Sequence, residues 1–127
     1  MIQESIAPVT YWEPPAGKTH AAHTGSLIQV TGNPLSDEHG QVIGADIEAQ
    51  ARYVFLKIEA ALRAAGASLH DVVNTRMFLT DVFRWEAVAR VHGEFFRDVH
   101  PATTMVAVDR LIDPAMLIVI EVDAVVA

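Results

Sequence analysis

Arg76 is the residue of this sequence whose position most directly suggests chemistry. It stands in the middle of an otherwise apolar predicted strand, Asp71 to Thr80, where an unpaired guanidinium is costly. Glu121 and Asp123 lie on one face of another predicted strand, because side chains alternate along a strand. We therefore expect Arg76 to pair with Glu121 or Asp123, within the sheet or between subunits, or to bind the acid group of a ligand.

Further polar residues stand at the predicted ends of strands, where binding clefts usually form. They are Lys18, Thr19, Thr31, Gly32 and Asn33. Phe78 shares the predicted face of Arg76, so we include it among the candidate ligand-binding residues. Each polar residue of this kind is more often a hydrogen-bonded residue at the rim of the fold than a catalyst.

The six histidines raise the question of a metal site. Only His20 and His23 are close in sequence, and three residues apart on extended chain they would face opposite sides. We therefore expect no metal. Ser36, Asp37 and His39 have the residue types of a hydrolase triad, but they lie in a turn without the strand, turn and helix that a nucleophile elbow requires.

The hydrophobic periodicity predicts two strands, a helix, a strand, a helix and two strands. After a short edge strand near Val9 to Trp12, the predicted elements are a hairpin over 20–32 with its stronger strand at 27–31, a helix over 46–65, a strand over 71–80, a helix over 85–97, and strands over 103–108 and 117–126. Two helices on one face of a mixed sheet make an α+β sandwich, and a neighbouring subunit is expected to cover the other face.

The same patterns predict which side chains face the helices. In the strands these are Val73, Thr75, Met77 and Leu79, and Ile118, Ile120, Val122 and Ala124. In the second helix the predicted inward residues are Trp85, Val88, Val91, His92, Phe95 and Phe96.

Length and composition narrow the class of protein. The 127 residues suit one domain, 1–127, and a hydrophobic content of 51% with 20% charged residues favours an oligomer. A net charge of −7 argues against nucleic acid as a partner. There is no cysteine, no signal-peptide pattern and no stretch of eighteen apolar residues. We expect a cytoplasmic protein that does not engage membranes.

Four segments carry a resemblance to a known family. They are GADIEAQARYVFLKIEAALRAAGASLHDVVNTRMFLTD, WEAVARVHGEFF, HPATTMVAV and VIEVDAV. Together they resemble the RidA/YjgF family of reactive-intermediate deaminases, from about Gly17 to the end of the chain. The resemblance implies a chorismate-mutase-like α+β sandwich, a homotrimer whose sheets form a central barrel, and small-molecule clefts between subunits.

The resemblance also implies an activity without a cofactor, the hydrolysis of imines and enamines such as 2-aminoacrylate to 2-oxo acids and ammonia. Four positions depart from the family pattern. Thr103 follows Pro101 and Ala102 where the family has a substrate-binding Arg, and Val119 replaces the family's site Glu. Lys18 stands where the family has a Tyr, and Ala89 where it has an Asn.

Two explanations of these departures stay open. Arg76 supplies the missing cation, with Glu121 or Asp123 as the carboxylate and Lys18 as a second donor or base, and the protein acts on a different imine or enamine. Alternatively, catalysis has been lost and the trimer binds a small metabolite or serves as a scaffold.

Thr103, Met105 and Val119 would give the cleft less charge, which favours a less acidic ligand than 2-aminoacrylate. Ribonuclease activity, also attributed to the family, receives little support from the net charge.

Overall fold

The computed structural model describes residues 3–5, 19–36 and 39–127. Its six strands form one mixed sheet in the order β1-β2-β3-β6-β4-β5. The strands are β1 (Gln3–Ser5), β2 (Ala21–Thr24), β3 (Leu27–Gly32), β4 (Val72–Leu79), β5 (Ala102–Ala107) and β6 (Ile118–Val125). The helices are α1 (Ile47–Ala64) and α2 (Trp85–Phe96), with short 3₁₀ turns at Leu69–Asp71 and Val82–Arg84. The edge strand predicted near Val9 to Trp12 lies outside the described residues.

The sheet explains why the end of the chain is so apolar. β6 lies between β3 and β4 and is antiparallel to both, whereas β5 pairs with β4 alone and is parallel to it. The two terminal strands are therefore not neighbours. The inward residues of β6, Ile118, Ile120, Val122 and Ala124, are completely buried, as the alternation predicts. We call this side of the sheet the helix face and the other side the open face.

Helix α1 follows its predicted pattern closely. The side chain of Asp46 accepts a hydrogen bond from the backbone N–H of Ala49 at 2.8 Å and so caps the first turn. After the helix, Gly66 adopts φ +86°, a conformation that favours glycine. The stripe that includes Val54, Phe55 and Ile58 is fully buried against the sheet, so the predicted helix layer is confirmed.

Two predicted inward residues are exposed instead. Val73 is 49% exposed because the pairing of β4 with β6 shifts register between Val72 and Asn74. This irregularity turns Val72 inward and Val73 outward, while Thr75 and the residues after it keep their predicted side.

Trp85 is 51% exposed, so its predicted burial is also wrong. It ends the 3₁₀ turn and begins α2, one turn before Val88, the next residue of the inward stripe. Its side chain lines a cavity with Met105 and Ala107 of β5. The core-facing stripe of α2 begins only with Ala87 and Val88.

Strand β5 forms one edge of the sheet and is poorly covered. Five of its six residues are exposed, and Val106 on the open face is 42% exposed. An edge strand with unpaired backbone groups and apolar side chains is suited to contact another chain.

Candidate functional site

The predicted ion pair of Arg76 is present on the open face of the sheet. Arg76 lies opposite Glu121 in the register of β4 and β6, and its Nε donates to Glu121 Oε1 at 2.8 Å. Its Nη1 donates to Asp123 Oδ2 at 2.8 Å, and its Nη2 donates to Asp123 Oδ1 at 3.3 Å. Arg76 therefore pairs with both carboxylates within its own sheet.

Two amides extend this polar network across three strands. The Oδ1 of Asn74 accepts from Arg76, and the Nε2 of Gln29 donates to Asp123 Oδ1 at 3.2 Å. The guanidinium thus makes four hydrogen bonds, out of the five donors that Arg carries. We call Gln29, Asn74, Arg76, Glu121 and Asp123 the open-face network.

The electrostatics of the network follow from these contacts. Hydrogen bonds to Asp123 and then to Glu121 raise the pKa of Arg76, and the bond from Arg76 lowers the pKa of Asp123. One cation between two carboxylates leaves the cluster with a formal charge of −1. A ligand carboxylate brought to Arg76 would therefore meet net repulsion.

A second polar cluster lies on the helix face, between α2 and strands β4 and β5. The Oγ1 of Thr75 is 2.9 Å from Nε2 of His92 and 2.9 Å from Oγ1 of Thr103. Thr75 is completely buried, His92 is half-buried, and Thr103 is exposed. The Thr103 hydroxyl also donates to the carbonyl oxygen of Pro101 at 3.0 Å.

The helix face of β5 continues from this cluster into an apolar cavity. Thr103, Met105 and Ala107 lie opposite Thr75, Met77 and Leu79 in the parallel register. The cavity has a volume of about 210 Å³ and is lined by Leu79, Val82, Trp85, Met105 and Ala107. We call the surface from Thr103 to this cavity the β5 groove.

The structure divides the predicted site residues between two faces. Arg76, Glu121, Phe78, Val119 and Thr31 lie on the open face, where Phe78 opposes Val119 and Thr31 opposes Glu121. Thr103 and Met105 lie on the helix face, in the β5 groove. One chain therefore does not bring these two groups together.

The remaining predicted residues have structural explanations or lie outside the described part. Gly32 is buried, and a Cβ at its position would come 2.8 Å from Cγ1 of Val54. The side chain of Asn33 accepts from the backbone N–H of Leu35 at 3.1 Å, which stabilises the turn after β3. Lys18 lies outside the described residues.

The sequence patterns predict His92 and Thr75 only as residues that pack inward. Both predicted inward positions are correct, but the interaction between the side chains was missed. The available signal was that the predicted inward residues of β4 and of α2 each include one polar side chain, Thr75 and His92. A buried polar side chain needs a hydrogen-bond partner.

The described residues lack a metal-binding cluster and a membrane-spanning helix. They contain no group of three or more His, Asp or Glu side chains placed to hold a metal ion. Within residues 3–5, 19–36 and 39–127, neither helix is long and apolar enough to cross a bilayer.

Comparisons with known proteins agree with the fold. The family described as Endoribonuclease L-PSP matches residues 13–126. A RutC family protein of Pyrococcus abyssi is 36% identical over 94 residues, which are 73% of this chain and 74% of that protein. The 3-aminoacrylate deaminase RutC of Acinetobacter baylyi is 34% identical over 119 residues, which are 93% of this chain and 94% of that protein.

Solved structures give the same result. The crystal structure of Rv2704 from Mycobacterium tuberculosis, described as a YjgF family member, has a TM-score of 0.88 and 39% identity, covering 98% of this chain and 100% of that one. Escherichia coli YjgF has a TM-score of 0.83 and 28% identity, covering 96% and 98%. The fold is thus the YjgF-like α+β sandwich. The chain belongs to the RidA/YjgF family.

Proposed function

We propose that this protein is a Rid-like deaminase that hydrolyses an imine, an enamine or a related small metabolite and acts poorly on 2-aminoacrylate. The similarity to a protein named 3-aminoacrylate deaminase, over 93% of this chain, supports the reaction class. The proposed reaction needs no cofactor, because water adds to the C=N carbon and the carbinolamine then releases ammonia to leave a carbonyl group.

The observation that carries this proposal is the composition of the β5 groove. Its polar end presents the hydroxyl of Thr103 where the family resemblance places a substrate-binding Arg, and its other end is an apolar cavity. A hydroxyl can hydrogen-bond an imine nitrogen or an attacking water, but it offers a carboxylate no charge. We therefore infer a substrate whose reacting end carries no acid group.

The predicted roles of Arg76 and Glu121 depend on a second copy of the chain. Both residues lie on the open face, away from the β5 groove of their own subunit. They join the cleft only if a neighbour brings its open face against this groove. We propose such an intersubunit cleft in a cytoplasmic homotrimer, and a sedimentation-equilibrium mass near three times 13.8 kDa would support it. A stable monomer would argue against it.

A matched pair of imines tests the proposed selectivity. A flavin amine oxidase acting on phenylethylamine releases an imine without a carboxylate, whereas an amino-acid oxidase acting on phenylalanine releases its carboxylated counterpart. Semicarbazide competes with the protein for either imine, so loss of the semicarbazone reports hydrolysis.

We expect the imine without a carboxylate to be favoured in kcat/KM by about tenfold or more, because a missing charged hydrogen bond costs roughly 1.5–3 kcal/mol. Release of 2-oxo acid from enzymatically generated 2-aminoacrylate should be slow or absent. Equal or faster hydrolysis of the carboxylated imines would contradict the selectivity. Binding of these compounds without acceleration of either hydrolysis would instead favour a non-catalytic metabolite-binding trimer, for which the self-paired open-face network is the supporting observation.

A further inference from the structure

His92, Thr75 and Thr103 connect the protein interior to the β5 groove through hydrogen bonds. The three side chains come from α2, β4 and β5, and Thr75 lies between the other two at 2.9 Å from each. Thr103 Oγ1 is also 3.5 Å from His92 Nε2, but the shorter route passes through Thr75. Burial decreases in the order Thr75, His92, Thr103.

The hydroxyl groups allow two directions of donation along this row. With Thr103 donating to Pro101, Thr75 donates to Thr103 and His92 Nε2–H donates to Thr75. In the opposite direction, Thr103 donates to Thr75, Thr75 donates to Nε2, and the imidazole proton is on Nδ1. Either direction satisfies both hydroxyls, so a proton can pass along the row by successive transfers.

The surroundings of His92 keep its imidazole neutral. The ring packs against Phe55 of α1 with centroids 5.8 Å apart and against Phe96 of its own helix at 4.7 Å. β4 and β5 contribute the uncharged Thr75 and Thr103. Burial lowers the pKa of His92, and no charged group in the described part of the chain adds to that shift. The Arg52–Glu94 pair, which joins α1 to α2, is exposed.

We propose that His92 accepts a proton from the substrate water through Thr75 and Thr103 during imine hydrolysis. This inference rests on the function proposed above and names its proton-transfer group. Thr103 is the catalytic residue of this relay because its hydroxyl contacts the reacting water, and His92 acts through it.

The proton and electron balance of the step is complete. Water oxygen bonds to the carbon of the protonated imine, and the C=N π pair moves to nitrogen, which becomes a neutral amine. With the row donating toward His92, the water proton passes to Thr103, the proton of Thr103 to Thr75, and that of Thr75 to the unprotonated Nε2 of His92. In the second half the proton returns to the amine, the C–N bond breaks and ammonia leaves. The remaining hydroxyl forms the carbonyl and releases its proton to solvent.

Removing the central hydroxyl tests the relay without changing the shape of the side chain. In Thr75→Val we expect kcat for the imine without a carboxylate to fall about a hundredfold, at the low end for general base catalysis, with KM unchanged. The wild-type kcat should fall in acid with an inflection below about pH 6.5, as His92 becomes protonated, and this inflection should be absent from the residual activity of the variant. Thr75→Ser should restore both. Thr24→Val is the matched control, because Thr24 lies in β2, four strands away from β5 in the sheet.

The possible results distinguish the proposed hydrolysis of imines from the proposed proton relay. A wild type that hydrolyses no imine overturns the proposed function, and the relay with it. Full activity with an unchanged pH profile in Thr75→Val overturns the relay alone. Should that variant fail to fold, the wild-type protein still gives the answer. The His92 pKa measured by ¹⁵N NMR must match the inflection in kcat, and a mismatch rejects the relay.

Discussion

At the scale of single residues, Arg76 shows how a costly side chain is accommodated. Its guanidinium is one-third exposed and shares its hydrogen bonds between Asp123, Glu121 and Asn74. Because four of its five donors are already bonded, a structural role within the sheet is favoured, and a ligand role would require the cleft of a neighbouring copy. The family's missing cation at Thr103 is therefore not replaced by Arg76 within the same chain.

Arg76→Ala should destabilise the fold. Glu121 and Asp123, which lie on the same face two residues apart, would lose their shared cation. We expect a loss of about 1–2 kcal/mol in the free energy of unfolding, which allows for solvent screening of a partly exposed pair. Urea unfolding at neutral pH measures it. Arg63→Ala is the matched control, because Arg63 is 71% exposed and pairs with Glu59 of the same helix at 3.4 Å.

The effect of Arg76→Ala should also depend on pH. Arg76 lowers the pKa of Asp123 in the folded protein, so the pair stabilises the fold fully above the unfolded pKa of about 4. That stabilisation is lost as the pH falls through the folded pKa of Asp123. The difference between wild type and variant should therefore shrink in acid. A difference that is independent of pH would show that lost packing, not charge, is responsible.

At the scale of elements, the close contact of β3 with α1 explains a residue predicted to bind ligand. A Cβ at Gly32 would lie 2.8 Å from Cγ1 of Val54 and 3.0 Å from Cγ1 of Ile58. Both neighbours are completely buried in the core. The glycine is thus required for helix packing, whatever its role in a ligand site.

Gly32→Ala should therefore destabilise the protein by about 1–3 kcal/mol, because the core must shift to admit the methyl group. Gly93→Ala provides the matched control in α2, since a Cβ there meets nothing described within 4 Å. Its greater helix propensity should raise stability by roughly 0.5–1 kcal/mol. Thermal unfolding of both variants measures the contrast. Equal effects in the two variants would contradict the proposed packing role.

Most elements were predictable because their patterns are local. The apolar alternation of β6 and the stripe of α1 follow directly from strand and helix periodicity. Val73 was misplaced because the irregularity in β4 depends on pairing with β6, which the sequence of β4 does not reveal. Likewise, Trp85 fits the helical periodicity of α2, but it lies in the first turn, before the part of the helix that packs on the core.

The division of the candidate site was not predictable for a similar reason. Family resemblance grouped Thr103 and Met105 with Val119, but their faces depend on the parallel register of β5 with β4. The resemblance nonetheless predicted the family and the mixed α+β sheet correctly. The interaction of His92 with Thr75 required α2 and β4 to be placed together in three dimensions.

At the scale of the whole molecule, one chain presents two incomplete surfaces. The open face carries a polar network beside exposed apolar residues such as Val73 and Val125, and the β5 groove ends at an uncovered sheet edge. If the open face of a neighbouring copy lies against the β5 groove and leaves space there for a ligand, the two surfaces form the proposed cleft. Because of this arrangement, the charge of residue 103 should decide which ligands the cleft accepts.

Ligand binding to Thr103→Arg tests the central claim most directly. Isothermal titration of wild type and variant would use phenylpyruvate, which carries a carboxylate, and phenylacetone, which carries a methyl group in its place. Neither measurement depends on catalysis. Thr24→Arg adds the same charge in β2, four strands away from β5, as a control. We predict that wild type prefers phenylacetone and that only Thr103→Arg shifts the preference toward phenylpyruvate, by about tenfold or more. An unchanged preference in Thr103→Arg, or the same shift in Thr24→Arg, would contradict a ligand site in the β5 groove.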